Sequence, residues 1–249
     1  MLLEFDEVTS TNTLAGEMLA RGELSHGDAI TARHQTQGRG RGAGRTWSDE
    51  AGASLLLSVV LTQIPEPAHL LQYRAALAVL SALRRLSKDH ANGNDVRLKW
   101  PNDILLKGKK VSGLLIEAQW SGTTMRSAIV GIGVNVRQRS FPEEIAPMAT
   151  SLMKEGIHAT VEAVREEILN SIAAELHVSP VPHVLSRLQK ELQWMTQLPS
   201  LEVIESGRHT MGLHFEGIEE SGAARLSDEN GNVIAVRAGS LSWDKPPNG

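Results

Sequence analysis

Ser54-Leu55-Leu56-Leu57-Ser58-Val59-Val60-Leu61 is an apolar run of strand length, opened by Ser54 and with Ser58 as its one internal polar residue. A half-exposed strand alternates apolar and polar residues, so a continuous run predicts a strand covered on both faces, within a layered fold. Reading toward the C-terminus, Pro65 and Pro67 mark a turn. From Ala68 to Leu86, Leu70, Tyr73, Leu77, Leu80 and Leu83 then recur at helical spacing, and Arg84, Arg85 and Lys88 lie near the end where the helix dipole favours cations. That stripe is core and carries no chemistry. Toward the N-terminus, Asp28 to His34 reads as a short strand. Before it, Thr13 to Gly22 reads as a helix in which Leu14 and Met18 share a face, Gly22 supplies a stop and Ser10-Thr11-Asn12 a polar start.

Further along, Ala91-Asn92-Gly93-Asn94-Asp95 is turn-rich, and Val96-Arg97-Leu98-Lys99-Trp100 alternates as a strand that ends at Pro101. Asp103 to Lys107 and Lys110 to Gln119 predict a hairpin with its tip at Lys107-Gly108-Lys109. After the turn Ser121-Gly122, Thr124 to Val136 predicts a long strand. Gly131 and Gly133 inside it imply that something lies against the backbone there. Two helical stripes follow, Val161, Val164, Ile168, Ile172 and then Leu185, Leu188, Leu192, Met195, with Pro180 and Pro182 between them. Beyond Pro199 come short strands at Leu201 to Ile204, Met211 to Phe215, Ala224 to Leu226 and Val233 to Val236, divided by Ser206-Gly207, Gly217, Gly222 and Asn230-Gly231. Such spacing suggests a five-strand β-barrel of SH3-like size, and Lys245 to Gly249 a frayed tail. The expected class is α+β, with a larger domain over residues 1–198 and a small one over 199–249.

The chain has 249 residues, 41% of them hydrophobic, and a net charge of −4. The acidic balance argues against a dedicated nucleic-acid binder. With no cysteine there is no disulfide or thiolate metal site, and the nine histidines lack metal-ligand spacing. The first residues lack the layout of a secretory signal, and no apolar run approaches the roughly 20 residues of a membrane span, so a cytoplasmic protein without membrane attachment is the expectation.

The residues that promise chemistry lie in Gln35-Thr36-Gln37-Gly38-Arg39-Gly40-Arg41-Gly42-Ala43-Gly44-Arg45-Thr46-Trp47 and in Lys99-Trp100-Pro101-Asn102-Asp103. Glycine lets a backbone approach a ligand closely, and each guanidinium offers a fork of donors to phosphate or carboxylate. Neither the P-loop pattern nor a Gly-x-Gly-x-x-Gly helix opening is present, and a flexible Arg/Gly surface loop, even one that binds RNA, is the bland alternative. Lys99, at a strand end beside Trp100, reads as a partly desolvated cation where sheets tend to bind ligands; its bland alternative is a solvated edge lysine.

Taken together, Ser10-Thr11-Asn12, Gln35 to Arg41, Lys99 to Asp103, Lys110-Val111-Ser112-Gly113-Leu114-Leu115-Ile116-Glu117 and Gly131-Ile132-Gly133-Val134-Asn135-Val136 resemble the biotin protein ligases in order and spacing over nearly the whole chain. The resemblance implies a two-step ligase. Biotin and ATP would give biotinyl-5′-adenylate and pyrophosphate, and a lysine of a biotin carboxyl carrier domain would then take the biotinyl group and release AMP. Two anions must meet in the first step, so Arg39, Arg41 and Lys99 are the expected catalytic residues, with Mg²⁺ shared among the phosphates. By position, Ser10, Thr11, Asn12 and Gln35 are expected around the biotin ureido ring, and Gly38, Arg39, Gly40 and Arg41 over the carboxylate and adenylate. Trp47, Asn135 and Lys110 are expected on the nucleotide side, and Gly113 and Leu115 in the biotin pocket.

A stretch one residue longer than usual between Gly38 and Trp47 departs from the family pattern and leaves Arg45 and Trp47 less firmly placed than Arg39 and Arg41. Only nine residues precede Ser10, so the form without the DNA-binding domain of some relatives is expected. A lipoate or octanoate ligase on the same scaffold, and a non-catalytic module that holds the adenylate, are the competing readings. The carrier's identity and the order of substrate binding do not follow from the sequence. Monomer and homodimer both stay open, with pairing through an edge strand between Lys110 and Val136 as the dimer's expected route.

Overall fold

A computed structural model describes residues 1–42, 44–88, 95–178, 180–198, 201–205, 208–237 and 240–242. Its larger sheet has seven strands: β1 (Leu2–Val8), β2 (Ala29–Gln35), β3 (Ser54–Leu61), β4 (Val96–Lys99), β5 (Asp103–Leu106), β6 (Lys109–Ser121) and β7 (Thr124–Asn135), in the order β1-β2-β3-β7-β6-β5-β4. Only β1 and β2 pair in parallel; the other neighbours are antiparallel, so the sheet is mixed.

β3 sits near the middle, and all of its residues are buried. Successive side chains point to opposite faces. Leu55, Leu57, Val59 and Leu61 therefore enter the main core, while Val60 packs on the other face with Ala15, Leu24, Ile30 and Ile129. The first face is closed by α2 (Leu71–Leu86), entered through a 3₁₀ turn at Ala68–Leu70, and by α3 (Val161–Val178) and α4 (Val181–Leu192). The fully buried Leu77, Leu80 and Leu83 of α2 contribute about 1.5–3 kcal/mol each by leaving water. The second face is covered only in part, by α1 (Thr11–Ala20). What α1 leaves open becomes the site.

Several details differ from the sequence expectations. β1 is not evident in the sequence pattern; it mixes partly buried and exposed positions, as an edge strand does. α1 begins at Thr11, and the Ser10 side chain forms no capping hydrogen bond. Gly22, at φ +75°, ends the helix as expected, donating to the Leu19 carbonyl. The hairpin tip is the pair Lys107 and Gly108, both left-handed at φ 49° and 76°, a combination that matches the twist of two antiparallel strands. Pro182 does not separate α3 from α4; it lies in the first turn of α4, where a missing N–H leaves no helical bond unmade. The proposed edge is also narrower than residues 110–136. β6 is flanked by β5 as far as Gly113, and only its residues 115–121 carry no strand on that side among the described residues.

The C-terminal strands β8 (Leu201–Glu205), β9 (Arg208–Ile218), β10 (Ala224–Ser227), β11 (Val233–Val236) and β12 (Ser240–Ser242) form a second antiparallel sheet ordered β11-β10-β9-β8-β12, in keeping with an SH3-like unit. β12 was not singled out from the sequence. Leu201, Leu213, Phe215, Leu226 and Leu241 of this sheet join the same apolar cluster as α2. The turn at 91–94, Ala43, Pro199, Ser206-Gly207 and the tail 245–249 lie outside the described residues. No helix among the described residues is long and apolar enough to cross a membrane.

Candidate active site

Residues paired laterally across a sheet point to the same face. Lys99 pairs with Asp103, Asp103 with Gly113, Gly113 with Gly133, and Gly133 with Leu56, which forms one row over four strand junctions. The next row is Leu115, Gly131 and Ser58. Both rows lie on the face that α1 leaves partly open. Glycine recurs in them because other groups occupy the space a side chain would fill. A Cβ on Gly133 would stand 2.6 Å from Trp47 Cε2 and Cζ2, one on Gly113 2.9 Å from Lys110 Cε, and one on Gly131 2.4 Å from Asn12 Oδ1. The indole of Trp47 thus lies flat on the sheet.

Trp47 is placed there by the Arg/Gly stretch, which folds back on itself and is not a loose loop. Gly40 N donates to Arg45 O at 2.8 Å, Trp47 N donates to Gly38 O at 3.0 Å, and Arg39 bridges Thr46 as an antiparallel pair. Gly42 and Gly44 at φ +98° and +75° permit the reversal.

Cations collect at the Lys99 end of the row. Lys110 Nζ is 2.6 Å from Asp103 Oδ1 and 5.8 Å from the centroid of a Trp47 ring. Burial, above all, holds the Lys99 ammonium below the ordinary lysine range; Asp103 opposes this, and Lys110 and Arg45 add to it. For Asp103, burial pushes the carboxyl up, but Lys110 and Lys99 outweigh it and the carboxyl ends below its usual range. Burial likewise lowers Arg41. Its Nη1 and the Trp47 Nε1 are buried donors with no hydrogen-bond acceptor among the described residues. A buried donor without a partner costs about 1–3 kcal/mol, so this end is built to meet an acceptor, and its charge calls for an anion.

At the other end, polar side chains meet at the start of α1. Gln35 Oε1 accepts from Thr11 N at 2.7 Å and from Thr11 Oγ1 at 3.1 Å, and Ser58 Oγ donates to Thr11 Oγ1 at 2.8 Å. Ser58 Oγ also lies 2.6 Å from Asn12 Oδ1, while Asn12 Nδ2 donates to Leu115 O at 3.2 Å and to Glu117 Oε2 at 2.8 Å. Ser10, Thr11 and Asn12 are all buried. The amide of Asn12 is thereby committed to the chain itself, whereas the Gln35 amide nitrogen donates to no described residue.

The structure therefore brings Arg41, Trp47, Lys99, Lys110 and Gly113 together at one end, and Ser10, Thr11, Asn12, Gln35 and Leu115 at the other. Gly38 and Gly40 pack against Trp47 and Arg45 within the turn. Arg39 does not join the cationic end: its Nη2 donates to Thr13 Oγ1 and Glu117 Oε2, both at 3.0 Å. Asn135 spends its Nδ2 on Thr150 O at 2.9 Å, which holds the segment beside Lys110. Trp47 and Gly113, expected on opposite sides of the site, are in contact.

Sequence reasoning passed over Asp103, Glu117, Ser58 and Tyr73. The first two stood inside quoted motifs, and Ser58 showed itself as a polar residue in an apolar strand. Tyr73 sat in a stripe read as core. Its hydroxyl donates to Gly222 O at 2.5 Å and accepts from Trp100 Nε1 at 3.1 Å, and burial pushes its pKa up to about 12. The Lys99 strand is thus fastened to the small C-terminal sheet.

Residues 4–135 match the model of the biotin/lipoate A/B protein ligase family. A bifunctional ligase/repressor of Bacillus spizizenii is 39% identical over 155 residues, 61% of this chain and 46% of that protein, so the chain spans about half the length of that relative. A biotin–[acetyl-CoA-carboxylase] ligase of Mycobacterium tuberculosis is 31% identical over 92% of this chain and 82% of its own length. Among solved structures, a biotin protein ligase of Aquifex aeolicus in complex with biotin and ATP superposes with a TM-score of 0.77 at 31% identity, covering 97% of each chain.

Proposed function

The chain belongs to the biotin/lipoate A/B protein ligase family, and from that premise we propose that it is an ATP-dependent biotin protein ligase. It activates biotin as biotinyl-5′-AMP and transfers it to a lysine of a biotin carboxyl carrier domain of a biotin-dependent carboxylase. The observation that carries this reading is the buried, acceptor-less Arg41 Nη1 near Asp103, around which Lys99 and Lys110 also gather, at one end of a glycine-floored site whose other end is lined by the polar Thr11, Asn12 and Gln35, with the Glu117 carboxylate there paired to Arg39. A molecule with a neutral hydrogen-bonding head and a carboxylate tail fits such a gradient.

In the first step the biotin carboxylate attacks the α-phosphorus of ATP, the bond to the bridging oxygen breaks, and pyrophosphate leaves. The approaching groups are both anionic. Lys99 and Arg41 offset that repulsion from a partly desolvated position, where charge is worth more than in water. Asp103 keeps Lys110 and Lys99 apart from one another's repulsion and fixes the Lys110 ammonium over Trp47. Mg²⁺ entering with ATP would supply further charge neutralisation at the phosphates. In the second step a carrier lysine, as the free amine, attacks the mixed anhydride and AMP departs. Gln35, oriented by Thr11, holds the ureido ring. Residues 1–198 hold this chemistry, and residues 199–249 brace the Lys99 strand through Gly222.

The test is pyrophosphate release from ATP, with and without biotin, in the absence of any carrier. Biotin-dependent release that lipoate does not reproduce supports the reading; release driven by lipoate would reassign the substrate. No release from folded protein that binds biotin would make the scaffold a binding module.

A further inference from the structure

Glu117 closes the run Lys110 to Glu117, and the mechanism above gives it no role. It lies on β6 two residues beyond Leu115, and so on the same face as the site. Its Oε2 accepts from Asn12 Nδ2 at 2.8 Å and from Arg39 Nη2 at 3.0 Å. The same Arg39 nitrogen reaches Thr13 Oγ1 at 3.0 Å. One oxygen therefore joins three segments: the Arg/Gly turn, the start of α1 and the sheet. The Arg39 and Glu117 side chains are 49% and 36% exposed, so the pair is within reach of solvent and can be exchanged.

We propose that Glu117 is a positioning residue that holds the Gly38–Trp47 turn over the sheet by engaging Arg39, and orients Asn12 from the same oxygen. Arg39 then acts as the anchor of the turn, and Arg41, two residues further on, is presented to the cationic end. Asn12 is held so that its Oδ1 faces Ser58 and Gly131. The role of Glu117 in substrate binding rests on the biotin ligase reading; its hold on the turn does not.

Two measurements separate these. The first is trypsin cleavage after Arg41 and Arg45 in the substrate-free protein, for wild type, Glu117→Gln and Glu117→Asp. Glu117→Gln keeps an acceptor for Asn12 but removes the ion pair, whose loss frees the turn by roughly twofold to fivefold, the range of exposed pairs. Faster cleavage in Glu117→Gln, partial rescue in Glu117→Asp, and no effect of Glu117→Gln in an Arg39→Ala background are expected. Unchanged cleavage, or equal acceleration with Arg39 absent, would overturn the proposal whether or not the protein is a ligase. The second is steady-state pyrophosphate release. Here KM for biotin should rise roughly threefold in Glu117→Gln while kcat holds, with the rise reproduced in wild type at high salt. A fall in kcat at constant KM would refute the positioning role in binding; absence of biotin-dependent release from wild type would instead refute the ligase reading.

Discussion

Gly133→Ala tests whether the glycine floor exists to seat Trp47. The added Cβ would lie 2.6 Å from Trp47 Cε2 and Cζ2, whereas carbon atoms in contact sit about 3.5–4.0 Å apart, so the indole must move by about 1 Å. The ring is rigid and also lies against Gly113 in the same floor, with Lys110 Nζ 5.8 Å from a ring centroid, and such overpacking costs about 1–3 kcal/mol. Against this, alanine restricts the unfolded chain and returns about 0.4–1 kcal/mol, and Gly133 has no positive φ to strain the newcomer. The net expectation is a loss of about 1 kcal/mol, or a melting temperature lower by about 2–4 °C for a chain of this size. Because the three nearest atoms all belong to Trp47, the sign must reverse in a Trp47→Ala background, where Gly133→Ala should stabilise by about 0.5 kcal/mol. Urea denaturation followed by far-ultraviolet circular dichroism on the four proteins of this cycle measures both values. Equal destabilisation in both backgrounds would refute the seating argument and place the constraint in the strand itself.

Lys99→Ala should slow adenylate formation by about 10²-fold or more and shift the melting temperature little, in a comparison of pyrophosphate release with thermal unfolding; equal losses in both would mark the lysine as structural. Arg41→Ala should release the adenylate intermediate faster, read by chasing labelled adenylate off the protein, and unchanged release would count against its role. Burial holds Lys99 below the ordinary lysine value of 10.5, so its charge is lost as pH rises through a value lower than that of an exposed lysine. The basic limb of kcat/KM should then fall earlier than for an ordinary lysine and be absent in Lys99→Arg, which a pH profile on folded protein checks. Asp103→Asn removes a carboxylate whose folded-state pKa is lowered, so its stabilising contribution is present above 3.8 and lost as pH falls through the folded value. Denaturation should show a loss of stability at pH 7 that narrows toward low pH; a constant difference would refute the electrostatic account.

Much of this protein was legible in its sequence because local rules suffice there. The apolar run Ser54–Leu61 implied a strand covered on both sides, the stretch Lys107-Gly108-Lys109 implied a hairpin whose turn proves to be Lys107 and Gly108, and two glycines in β7 implied something lying against the backbone. Each signal is carried by residues close in the chain, where periodicity and backbone freedom act directly. The family resemblance also lay in contiguous motifs.

What those motifs do to one another was settled only in three dimensions. That Trp47 rests on Gly113 and Gly133, that Arg39 is taken by Glu117 and leaves Arg41 to the cationic end, and that Tyr73 ties Trp100 to Gly222 all depend on strand register and on segments far apart in the chain. The depressed lysine at position 99 has the same origin, since desolvation and neighbouring charge exist only once the sheet has brought Asp103, Lys110 and Arg45 around it. Sequence periodicity assigns a side chain to a face, but which partner it meets on that face is decided by the pairing of strands across the sheet.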